Sequence, residues 1–66
     1  MPIEINGRTR ELETPIMLGE LIDAEVTDRR GVAVSLNGEV LPRSDWDTTT
    51  VDDGARIELV GAVQGG

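Results

Sequence analysis

The stretch "VAVSLNGEVL", residues 32–41, decides how this chain folds. Val32, Val34 and Leu36 share one face of an extended segment, because side chains along a strand alternate with a period of two. Asn37-Gly38 comes next, and both residue types accept the positive φ that a two-residue hairpin turn demands. Val40 begins the return, and Pro42 ends the ladder because it has no N–H to donate. The same signal occurs near the N-terminus, where "IEI" at 3–5 puts Ile3 and Ile5 on one face and Asn6-Gly7 turns the chain. The returning segment "RTRELE", 8–13, is highly polar, with Leu12 its only obvious core residue. It is expected to be an exposed edge strand, protected from wrong pairing by its charges.

Between the hairpins the period changes. Thr14-Pro15 breaks the strand, and in "MLGELIDAEV", 17–26, Leu18, Leu21, Ile22 and Val26 recur at helical spacing while Glu20, Asp23 and Glu25 face away. Met17 is a poor N-cap and Gly19 a poor helix former. Acids near the helix start suit its dipole, as do Arg29-Arg30 beyond its end, and Gly31 supplies a stop or loop hinge. After the second hairpin, Trp46 is expected to anchor the core or its rim. "DDG" at 52–54 turns the chain into "ARIELV", with Ile57 and Leu59 inward and Val60 on the opposite face. Two hairpins flanking a helix, with a final strand, predict an α+β domain over residues 1–60. Its order is ββαββ, with the sheet covered by the helix on one face. The apolar residues of these elements are expected to converge on one small core.

Composition restricts what such a body can do. A 66-residue chain buries only about 60% of the surface its unfolded form exposes. With neither Cys nor His, disulfides and the usual zinc ligands are absent, so packing and turns must supply the stability. Thirteen acids against six arginines leave a charge of -7. Backbone binding to nucleic acid needs clustered positive charge, so nucleic acid is an unsuitable partner. The acidity suits either a basic protein partner or simple solubility. Lys and Tyr are missing as well as His and Cys, which removes most general bases, nucleophiles and Schiff-base formers. Asp52-Asp53 and Asp45/Asp47 lie in polar, turn-like sequence, and "DWDTTTVDDG" lacks the ligand spacing of a calcium loop. The chain is therefore expected not to be an enzyme. "MPIEING" has no signal-peptide character, and no apolar run reaches the roughly 18–20 residues of a membrane span. A cytoplasmic protein without a membrane partner, monomeric when free, is the expectation.

The chain closes on "AVQGG", 62–66, with no charged side chain after Glu58. These residues alone leave open an end without a role and an end whose carboxylate is the reactive group. The order of elements, the length, "LNGEVLPRSDW" with "VDDGARIELV", and the Gly65-Gly66 ending together resemble the ThiS family of sulfur carriers in thiamine biosynthesis. The resemblance covers essentially the whole chain and is strongest from Val34 to Gly66. Met17 stands where that family often has a Thr or Ser helix cap.

The resemblance implies the ubiquitin-like β-grasp fold: a mixed sheet packed on one helix, with a flexible Gly-Gly tail over 61–66. It implies that the Gly66 carboxylate is adenylated by an activating enzyme related to ubiquitin activators, which consumes ATP. The adenylate would become a thiocarboxylate, with sulfur from a desulfurase or persulfide carrier, and thiazole synthase would receive that sulfur. The carrier itself would bind no cofactor or metal. Val60, Gly61, Ala62, Val63, Gln64 and Gly65 would then form the segment that enters the partner. Such a role suits this composition. Six residues extend about 20 Å, glycine lets a narrow channel close on the backbone, and an uncharged segment avoids the cost of desolvating an ion. The small subunit of molybdopterin synthase and ubiquitin-type modifiers share this fold and ending. A non-carrier β-grasp interaction module is the alternative of a different class.

Overall fold

The computed structural model describes residues 1–61. Both Asn-Gly pairs form the expected turns. Strand β1 (Pro2–Ile5) pairs antiparallel with β2 (Arg8–Glu11), and β4 (Val32–Leu36) pairs antiparallel with β5 (Glu39–Leu41). At the turns, φ is 50° and 83° for Asn6 and Gly7, and 53° and 88° for Asn37 and Gly38. Two successive positive φ values define the turn type whose twist matches that of paired strands.

Strand β7 (Arg56–Gly61), the last among the described residues, joins the two hairpins. It lies parallel to β1 and antiparallel to β4, giving the five-stranded order β2-β1-β7-β4-β5. This is the mixed sheet of a β-grasp domain. Each hairpin is local, but neither touches the other's strands in the sheet except through β7.

Helix α1 runs over Leu18–Glu25 and buries Leu18, Leu21 and Ile22 against one sheet face. Ile3, Ile5, Val34 and Ile57 meet them from the sheet, with Leu12, Trp46, Val51 and Ala55 completing the core. The opposite sheet face has no covering element among the described residues. Val40 departs from the expected inward convergence. It pairs with Ser35, not with a core-facing residue of β4, and is 72% exposed on the open face. Leu41, opposite Val34, turns inward instead.

Three short elements had no visible signal in the sequence. Strands β3 (Ile16–Met17) and β6 (Thr50–Val51) pair antiparallel as a separate two-stranded sheet. A 3-10 helix over Arg43–Thr48 carries Trp46 into the core, where its Nε1–H donates to the Leu41 carbonyl at 3.1 Å. These elements also engage the helix start. The Leu18 N–H, at the first helical position, donates to the Thr49 carbonyl at 2.7 Å. The Met17 N–H donates to Glu20 Oε1 at 3.3 Å.

Arg29 does not extend past the helix C-terminus to meet its dipole. It folds back along the helix, forming paired bonds to both Asp23 oxygens (2.8 and 2.9 Å) and both Asp47 oxygens (3.1 and 2.9 Å). It also donates to the Gly19 carbonyl at 3.2 Å and lies 5.8 Å from the Trp46 ring centre. Gly19 makes room for this cluster, since a Cβ there would collide with the Asp47 carboxylate. Arg8 and Arg10, at the β2 edge, both reach Glu25 at 3.4 Å and so tie the outermost strand to the helix. Glu25 thus faces a partner instead of open solvent.

Candidate functional site

The candidate site is the C-terminal end of β7, where the described body stops. Val60 pairs with Ala33 and Gly61 with Val32. Gly61 is therefore strand, one residue past the expected boundary at 60. The ladder of β4 carries it there, because Val32 still offers a partner. Ala62, Val63, Gln64, Gly65 and Gly66 lie outside the described residues, so their expected roles stand on the sequence alone.

Val60 is where parity placed it, on the open face and 68% exposed. Ala33 stands opposite it and Val40 on the neighbouring strand, both exposed, so small apolar side chains cluster beside the end of β7. Glu58 and Arg56 precede Val60 on that face, and Ser35 Oγ–H donates to Glu58 at 3.4 Å. An exposed apolar cluster with a charged border is what a transient protein contact uses. No group of three or more potential metal ligands occurs among the described residues. No helix there is long and apolar enough to cross a membrane.

Asn6 belongs to this site, and sequence reasoning saw it only as a turn former. Its backbone N–H donates to the Ile57 carbonyl at 2.9 Å. Its side chain then accepts the Leu59 N–H at 2.8 Å and donates to the Leu59 carbonyl at 3.3 Å. Asn37 does part of this at the other end of β7, accepting the Arg56 N–H at 2.9 Å while its own N–H donates to the Arg56 carbonyl at 2.7 Å. The signal was missed because Asn6 and Leu59 become neighbours only once the strand order is known.

A family model described as the ThiS family matches residues 3–66. The chain belongs to the ThiS family. Its fold is similar to the crystal structure of a thiamine biosynthesis protein (ThiS) from Geobacter metallireducens. That structure is 36% identical in sequence, with a TM-score of 0.83 and all of both chains covered. A solution structure of a thiamine biosynthesis protein from the same organism has a TM-score of 0.79 at 36% identity, covering all of this chain and 88% of that one. A thiazole synthase from Paramagnetospirillum magneticum is 33% identical over 66 residues. This ThiS-family chain spans 20% of that relative's length.

Proposed function

We propose that this ThiS-family chain carries sulfur for thiazole formation in thiamine biosynthesis, as a protein co-substrate and not as an enzyme. The observation that carries the proposal is the family match over residues 3–66, which includes Gly65 and Gly66. In this reading an ATP-dependent activating enzyme joins the Gly66 carboxylate to AMP with release of pyrophosphate. The outer sulfur of a persulfide donor then displaces AMP to give an acyl disulfide, and a thiol reduces its S–S bond, forming a disulfide with the donor sulfur and releasing the thiocarboxylate that thiazole synthase consumes. Similarity to a segment within a thiazole synthase supports that enzyme as the acceptor, and the family match favours the thiamine role over the molybdopterin one.

The described body suits the task. It holds β7 in the middle of the sheet, so residues 62–66 depart from its best-anchored strand. Those five residues can reach about 16–18 Å when extended. Ordering them in a partner costs about 1–2 kcal/mol per residue, which apolar contact with Val60 and Val63 and hydrogen bonds to the extended chain would offset.

Intact mass before and after incubation with ATP, a sulfur donor and the activating enzyme is the test. Exchange of one oxygen for sulfur, mapped to Gly66, is expected. A mass unchanged with every ubiquitin-activator-like enzyme of the source genome overturns the proposal.

A further inference from the structure

The parallel ladder between β1 and β7 ends before β7 does. Its last backbone bond runs from the Asn6 N–H to the Ile57 carbonyl, after which Gly7 turns the chain away. Beyond that point β7 has β4 on one side, through Ala33 opposite Val60 and Val32 opposite Gly61. On the other side, the two bonds from the Asn6 amide to Leu59 stand in for the strand residue that β1 lacks. Without them, the end of β7 would be the edge of a two-stranded ribbon, and such ribbons twist more than strands held on both sides.

We propose that Asn6 is a positioning residue whose side chain fixes the direction in which β7 presents Gly61 to the activating enzyme. The proposal rests on the carrier role set out above. Loss of the amide leaves β7 after Ile57 paired with β4 alone and free to twist further, and looser orientation of a reacting segment lowers the rate of the step it enters.

Asn37 supplies a matched control. It occupies the same turn type and also bonds β7, but at Arg56, the end remote from Gly61. Asn6→Gly and Asn37→Gly both preserve the positive φ and delete a side-chain amide that holds the same strand. ATP–pyrophosphate exchange by the activating enzyme should be measured with the carrier as varied substrate, beside thermal melts. For Asn6→Gly, kcat should fall about tenfold with KM within about twofold, the signature of a lost transition-state interaction. Asn37→Gly should keep both constants within about twofold at a similar melting temperature. A defect that merely follows lost stability would raise the apparent KM and spare kcat. That result, or equal kcat losses in both variants, overturns the proposal. A second readout needs no activity: residual dipolar couplings of the Val60 and Gly61 amides should change in Asn6→Gly and not in Asn37→Gly. Unchanged couplings in Asn6→Gly also overturn it. Failure of the wild-type chain to be activated would count against the carrier role, while the couplings would still decide the place of Asn6.

Discussion

At the scale of single residues, Arg29 decides more than any other charged group. Its hydrogen bonds hold Asp23 and Asp47 below the usual carboxylate range. Hydrogen bonds from the Arg30 side chain, then from its backbone N–H, lower Asp28 to about 2. A carboxylate lowered in the folded state stabilises it above the ordinary value of about 3.9, and that stability is lost as pH falls through the lowered value. The wild-type chain should therefore lose stability from about pH 4 toward pH 2, more weakly in high salt because these groups are solvent-exposed. Arg29→Met keeps an aliphatic stem over Trp46 and removes the shared cation. Denaturant titrations from pH 2 to 5 should show a shallower acid loss in this variant; an unchanged slope would mean that Arg29 is not its source. Gly19→Ala tests the same cluster from the helix side. Alanine favours a helix interior by about 1 kcal/mol over glycine, but its Cβ displaces the Asp47 carboxylate. The melting temperature should change little, while Asp47, followed by NMR, titrates closer to an ordinary aspartate.

Among the elements, legibility followed locality. Both hairpins, the helix and the outward position of Val60 were legible because alternation, Asn-Gly pairs and helical spacing are properties of neighbouring residues. Strands β3 and β6 span two residues each, too few to show a period, and they exist only because the chain brings Ile16 opposite Val51. The 3-10 helix was invisible for a similar reason: Trp46 fixes it from the core side. Val40 was legible in principle, since a two-residue turn at 37–38 sets it opposite Ser35, on the open face. At the candidate site, Val60 could be found from the sequence and Asn6 could not, because its partner lies 53 positions away. Trp46→Phe tests how far the 3-10 helix depends on its anchor. The substitution removes the pyrrole half of the indole together with its bond to the Leu41 carbonyl, so at least about 1–3 kcal/mol of stability should go. A chemical-denaturation midpoint within error of wild type would show that the turn does not depend on this anchor.

For the molecule as a whole, β7 is both the last strand among the described residues and the central strand of the sheet. Truncation after Ala55 should leave two hairpins and a helix with no common strand, and its circular dichroism should show no cooperative melt. Truncation after Gly61 removes none of the described pairings and should melt near the full-length temperature while failing to acquire sulfur. Cooperative folding of the shorter chain would refute the role given to β7. A consequence follows for synthesis. On the ribosome the sheet cannot close until residue 61 has emerged, so an abortive product lacking β7 has no finished body with which to occupy an activating enzyme. By placing β7 at the centre, the chain ties recognisability to having been translated through residue 61.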